Sequence, residues 1–208
     1  MLLTAGLDKL RRTRPRLGYH GDSSGRCIMT IGRAVGIVAV AILALARPAA
    51  AQVPPGVGEG WKGEFEHAAS QLTQLAEAIP ADKFSWRPGP GVRSIAEVCM
   101  HVAIGNHFLL GQAGAKPATD LTKLGKEPEK GITDKEAVIK FMKESFEAVR
   151  TSVPNLDRAS ERKLFGKAVK TDDVLLRLLV HNHEHMGQLI AYARTNGVVP
   201  PWTAARGQ

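Results

Sequence analysis

The chain is poor in cysteine, and of its two thiols only Cys99 lies beyond residue 51, Cys27 being the other. No intrachain disulfide is therefore available to the region after residue 51, which must be held by its core. Cys99 sits two residues before His101, about 200° away around a helix, so it does not share a ligand site with that histidine and reads as a buried apolar thiol. Long apolar runs are also missing. The most extended, Ala34–Ala46, has 13 residues, against the roughly 20 that a membrane-spanning helix needs. Internal repeats and low-complexity tracts are absent, and aromatic residues make up only 5% of the chain.

The short apolar run follows Arg33 and is succeeded by Arg47-Pro48-Ala49-Ala50-Ala51. A basic flank, a short apolar core and an A-x-A end define a secretory signal peptide, with cleavage expected after Ala51. The competing reading, a retained membrane anchor, is disfavoured by the length of the run. Met29 lies five residues before the run and makes a conventional leader start, with residues 1–28 an upstream extension. The expected organisation is extension and signal peptide over 1–51, a Pro/Gly-rich linker over 52–60, and a folded domain over 61–205. A periplasmic or secreted location follows, with no stable membrane anchor after cleavage.

The leader also carries most of the charge. The whole chain has a formal net charge of +8, but residues 1–51 contribute +6 and residues 52–208 only +2. The folded part is nearly neutral, which argues against nucleic acid as a partner. About 157 residues suffice for one domain with a proper core.

Periodicity in this domain is helical. Trp61, Phe65, Ala68, Leu72, Leu75 and Ile79 recur at steps of three and four until Pro80, the mark of a core-facing stripe. The stretch from Phe84 to Val92 is too rich in Pro and Gly to be regular. Ser94-Ile95-Ala96-Glu97 reads as a capping box, opening a helix to about Gln112 whose apolar arc includes Val98, Cys99, His101, Ile104, Gly105 and Phe108. His107 falls outside that arc. Residues 113–131 form a polar connection, longer than is usual between helices. Thr133-Asp134-Lys135-Glu136 predicts a second capping box, with Val138, Phe141, Met142, Phe146 and Val149 as the apolar side of a third helix. Residues 155–170 are ambiguous between a helical turn, irregular chain and strand.

A fourth helix is expected from Thr171, as N-cap, to Asn196-Gly197. Val174, Leu178, His181, His185, Gln188, Leu189 and Tyr192 lie on one stripe, and Leu176, Leu179, His183 and Ile190 on the opposite one. With no convincing strand, the expected fold is all-α, a four-helix bundle.

Three histidines stand out chemically. His181 and His185 are spaced i, i+4, on one helical face with Cβ atoms about 5–6 Å apart. Two imidazoles from successive turns can meet at one divalent cation. His101, inside the core arc of another helix, completes a three-histidine set with a coordination position left open. A histidine paired with a backbone carbonyl in the core is the bland alternative for each of the three. Glu184 does not make an H-E-x-x-H arrangement, because the run is His183-Glu184-His185, and it reads as solvated. His183 and His107 read as structural or surface residues, and His67 as solvated. Trp86 and Trp202 read as packing anchors at proline-rich corners. Tyr192 and Gln188 could line a pocket, with a plain core role favoured for Tyr192.

The stretch W-R-P-G-P-G-V-R-S-I-A-E-V-C-M-H-V-A, followed by H-N-H-E-H-M-G-Q-L-I-A-Y-A-R and G-V-V-P-P, resembles the DinB / YfiT-like superfamily of bacterial four-helix-bundle metalloenzymes. The resemblance covers roughly Trp61 to Trp202. It implies metal ligands at His101, His181 and His185, the three that the helical wheels select, and a divalent ion such as Zn or Ni. It also implies hydrolase or thiol-dependent transferase or isomerase chemistry. An exported member departs from this pattern, because low-molecular-weight thiols are scarce outside the cytoplasm. Two functional readings remain: a metal-dependent enzyme acting on a small molecule of unknown identity, or a non-catalytic metal-binding or stress-related scaffold. A homodimer is compatible with either.

Overall fold

The computed structural model describes residues 53–116 and 118–206, and the expected leader over 1–51 lies outside them. Four long helices carry the fold: α1 (Gly60–Ala78), α2 (Ile95–Gln112), α3 (Lys135–Ser152) and α4 (Thr171–Thr195), with a short α5 (Pro201–Ala204) at the end. Helix α2 packs on α3 and α4, and α1 packs on α4 and α3, which closes a helical bundle. None of the described helices is long and apolar enough to cross a membrane.

The core lies where the periodicity placed it. Phe65, Leu72 and Leu75 from α1, with Ile79 just past its end, share one core with Val98, Met142, Phe146 and Leu178, all of them buried. Phe65 and Phe146 contact edge to face at 6.1 Å between centroids, an arrangement their ring quadrupoles favour. Truncating a fully buried leucine such as Leu72 to Ala would cost about 2–5 kcal/mol.

Helix starts follow capping chemistry, with two corrections. At α2 the expected box forms: Ser94 Oγ accepts from the Glu97 N–H at 3.2 Å, and Glu97 Oε2 accepts from the Ser94 N–H at 2.8 Å. At α3 the cap is Asp134 rather than Thr133, its Oδ1 accepting from the Ala137 N–H at 2.9 Å. A carboxylate outcompetes a hydroxyl at the positive end of the helix dipole. At α4, Thr171 is already helical, and Asp173 instead accepts from the Lys170 N–H at 2.8 Å.

The strictly all-α expectation also fails in one place. Glu161–Leu164 (β1) and Lys167–Lys170 (β2) pair antiparallel. Phe165 and Gly166 turn between them, both with positive φ, at 48° and 84°, as a two-residue turn requires. The strands E-R-K-L and K-A-V-K are charged and mostly exposed, so no clean alternation marks them in the sequence. The hairpin is tied down by Arg162, whose Nε donates to the Ala113 carbonyl at 2.8 Å. Its guanidinium occupies the place a Cβ would take at Gly114.

A buried polar ladder sets the register of α2, α3 and α4. Asn182 Nδ2 donates to Asn106 Oδ1 at 2.8 Å, Asn106 Nδ2 donates to Ser145 Oγ at 3.1 Å, and Ser145 Oγ donates to the Met142 carbonyl at 2.7 Å. All three side chains are fully buried. A one-residue slip of α4 would break a ladder whose groups are costly to leave unpaired. Asn182 is the neighbour of His181, so the ladder fixes where the histidines arrive.

Candidate metal centre

His101 on α2 and His181 and His185 on α4 converge. Each offers a ring nitrogen, and these nitrogens all lie within 4.8 Å of one another. The ring centroids are 4.9 Å apart for His101 and His181, and 4.6 Å for each pair with His185. Nε2 of His181 faces Nε2 of His101 at 3.1 Å. Two nitrogens bound tetrahedrally to one zinc-sized ion at 2.0–2.1 Å would stand about 3.3 Å apart, so the observed spacing fits a shared cation.

The outer nitrogens of two rings are held, which determines what the inner ones present. His101 Nδ1 lies 2.7 Å from Oε1 of Glu129, and His185 Nδ1 lies 2.8 Å from Oε1 of Gln188. Gln188 in turn donates from Nε2 to the Tyr192 hydroxyl at 2.9 Å, leaving its carbonyl oxygen to accept from His185. A ring that donates Nδ1–H keeps its lone pair on Nε2, the tautomer that binding a cation through Nε2 requires. Glu129 is itself oriented by Arg93, whose Nε and Nη2 reach its two oxygens at 2.6 and 3.0 Å. Burial opposes ionisation of Glu129, but Arg93 and His101 outweigh it and hold the carboxyl below its ordinary range.

His181 is held differently. Its Nδ1 is buried and has no hydrogen-bond partner among the described residues. Its ring is placed by shape: a Cβ on Gly105 would lie 2.3 Å from His181 Cε1. Only glycine at 105 lets the α4 imidazole approach the α2 backbone so closely. Burial pushes the His181 imidazole down to about 4, with the neighbouring His185 and His101 rings adding to the shift. Burial likewise lowers His185, the Gln188 hydrogen bond opposing it only in part. Both rings are thus biased to the neutral form that binds a cation.

The other histidines stay apart from this centre. His107 is buried beside Phe141, with centroids 5.7 Å apart, so of its two expected roles the structural one applies. His183 turns its Nδ1 to the Leu179 carbonyl at 3.0 Å on the opposite side of α4. His67 is half-buried rather than simply solvated, with Nδ1 3.2 Å from the Pro55 carbonyl. Glu184 is exposed and paired with Arg177. Trp86 packs edge to face on buried Tyr192 at 5.3 Å, as an anchor would. Phe108, placed in the core arc by the wheel, is exposed and stacks on Phe165 of the hairpin.

Glu129, Arg93 and the polar ladder escape sequence reasoning. Glu129 lies in a 3₁₀ turn, Pro128–Lys130, inside the long connection before α3, where no periodicity operates. The length of that connection was its only signal, since long ordered loops tend to serve a site. Beside the centre opens a cleft of about 480 Å³ whose lining includes Arg87, Arg93, Glu97, Glu129, Lys130 and Gln188.

A helical bundle whose core-facing histidines from two helices converge on one point defines a class of protein able to hold a divalent cation between helices. The DinB superfamily model matches residues 64–189, and the chain belongs to that superfamily. Two solved structures share the fold. A DinB-like protein from Bacillus cereus is 17% identical, with a TM-score of 0.56 over 69% of this chain and 95% of that one. The DinB-like protein YjoA of Bacillus subtilis is 20% identical, with a TM-score of 0.51 over 67% of this chain and 92% of that one. No protein with a curated description matches.

Proposed function

We propose that the chain is an exported, metal-dependent enzyme acting on a small molecule, with a divalent cation such as Zn or Ni held by His101, His181 and His185. The observation that carries this reading is the convergence of three ring nitrogens within 4.8 Å, two of the rings being oriented from outside by Glu129 and Gln188. Held by these three neutral imidazoles, a divalent cation would supply Lewis acidity suited to hydrolysis or thiol-dependent transfer. Glu129 keeps the His101 lone pair inward, Gln188 does the same for His185, and Gly105 admits His181. The adjoining cleft favours an enzyme over a closed scaffold, because convergent polar groups beside a centre are what a substrate needs.

Export is supported by the leader pattern over residues 34–51. N-terminal sequencing of the protein from its native host is expected to begin at or near Gln52, and an uncleaved, membrane-bound chain would refute that part. For the metal, elemental analysis of tag-free protein is expected to find one divalent ion per chain, lost in the His181→Ala/His185→Ala double variant. Protein that binds no divalent ion under zinc or nickel dialysis would end the metal reading.

A further inference from the structure

The cleft beside the histidine centre has an asymmetry that the metal reading does not use. Its lining contains three cationic side chains, Arg87, Arg93 and Lys130, against two carboxylates, Glu97 and Glu129. The carboxylates are the interior partners. The Glu97 side chain is 9% exposed beneath an Arg87 side chain that is 39% exposed, and Glu129 is 28% exposed against 39% for Arg93. Lys130 is 55% exposed and among the described residues pairs with Glu127 alone, itself 69% exposed.

The negative charges are also already committed. Glu97 accepts from Arg87 Nη1 and Nη2 at 3.1 and 2.9 Å, and its Oε2 takes the Ser94 N–H as well. Glu129 is divided between Arg93 and His101. A guanidinium has five N–H donors. Glu129 engages only Nε and Nη2 of Arg93, and Glu97 engages only the two terminal nitrogens of Arg87. Arg87 Nη1 also donates to the Val92 carbonyl at 2.7 Å. Arg93 Nη1 and Arg87 Nε have no partner among the described residues, and the Lys130 ammonium sits in a weak surface pair. The α2 N-terminus does not compete for a ligand, because its first N–H groups are taken by the carbonyls of Trp86 and Phe84 at 3.1 and 2.9 Å.

We propose that this cleft binds the carboxylate end of a small organic anion, held by Arg87, Arg93 and Lys130, and so presents the rest of the molecule to the histidine centre. The substrate class this implies rests on the metal-enzyme reading; the anion site itself does not need the metal. Planar guanidinium groups match a carboxylate in geometry as well as charge. A volume of about 480 Å³ admits a metabolite-sized ligand rather than a polymer. Any cation on the histidines would raise the local positive potential further.

The test is amide chemical-shift mapping of the protein titrated with succinate at constant ionic strength, with succinamide as the uncharged control. Saturable shifts confined to residues 87–93 and 129–130 are expected from succinate and not from succinamide. Lys130→Gln, at an exposed position that folding does not depend on, should weaken succinate about three- to tenfold. No saturable shift in those segments, the same shifts from succinamide, or unchanged affinity in Lys130→Gln would each overturn the proposal. Repeating the titration on His181→Ala/His185→Ala, which should lose zinc and keep succinate, shows the anion site to be independent of the metal. In the wild-type protein, succinate bound without zinc would leave the anion site standing and remove the metal, whereas zinc bound without succinate would do the reverse.

Discussion

Helix α4 carries histidines on two opposite faces, and the two groups are unlike. On one face His181 and His185 meet His101, with ring centroids 4.6–4.9 Å apart. On the other, His183 lies against His67 of α1 at 6.4 Å, the rings nearly parallel. Both imidazoles of the second pair turn Nδ1 toward a backbone carbonyl, and the nearest carboxylate, on Glu64, lies 3.8 Å from His183 Nε2. Only the first group has a third ring, outer nitrogens oriented by side chains, and inner nitrogens close enough to share an ion. Histidine content and helical spacing do not make a metal site. Convergence from a second helix is what makes the first group a candidate metal centre.

The most severe way to break this contrast is to exchange the fates of His185 and His183, which are two residues apart. His185→Ala would remove one of the three proposed ligands and should weaken zinc binding by about 10³-fold or more, whereas His183→Ala should leave it within about twofold. Competition with a chromogenic chelator near pH 7.5 reads both. Equal losses would mean that the two faces of α4 are not functionally distinct.

Acid offers a second way. Because the folded pKa of His181 is depressed to about 4, the unfolded chain takes up its proton near pH 6.5 while the native ring stays neutral. The stability of the metal-free protein is therefore full above about pH 6.5 and falls as the pH drops toward 4, by roughly 3 kcal/mol from this group. Urea midpoints between pH 7 and 4.5 should show that slope, and His181→Gln should flatten it. His183, on the opposite side of α4 with Nδ1 turned to the Leu179 carbonyl, offers the matched control, and His183→Gln should leave the slope in place.

Two substitutions probe how the first group is assembled. Glu129→Gln keeps the shape but loses the anionic acceptor on His101, and should lower zinc affinity about 10- to 100-fold. A loss below twofold would show that Glu129 serves Arg93 and not the centre. Gly105→Ala forces His181 to move, because the new Cβ would stand 2.3 Å from its ring. A roughly tenfold loss of zinc affinity with helicity retained by circular dichroism is expected, on the scale of a displaced ligand geometry. Wild-type affinity would show that α4 can shift away without cost.

The helices and the three histidines that converge were legible in the sequence. The α1 stripe, the Ser94–Glu97 box, the end of α4 at Asn196-Gly197 and the phases of His101, His181 and His185 all follow from local rules, because helical periodicity and capping act within a few residues. Where two caps compete within that range, as at Thr133 and Asp134 or Thr171 and Asp173, the local rule names the helix but not the residue that closes it. The β1–β2 hairpin was not legible, since its strands are charged and the contacts that tie it down, Leu164 and Val169 on the core and Arg162 at the Ala113 carbonyl, are made with distant parts of the chain.

By itself, then, the sequence determined the main apolar faces of the helices and the phases of His101, His181 and His185 on them, because those properties depend on spacing along one chain. Phe108 and His107 on α2 departed from that pattern, one exposed and the other buried. Only the tertiary structure decided that Glu129, 28 residues beyond His101, would close on its Nδ1, that Gly105 would give His181 its room, and that Asn106 and Asn182 would lock α2 to α4. Those contacts depend on how separate helices and a long connection meet in space. Their donors and acceptors carry no periodic signal, and their partners become neighbours only when the core has closed around them.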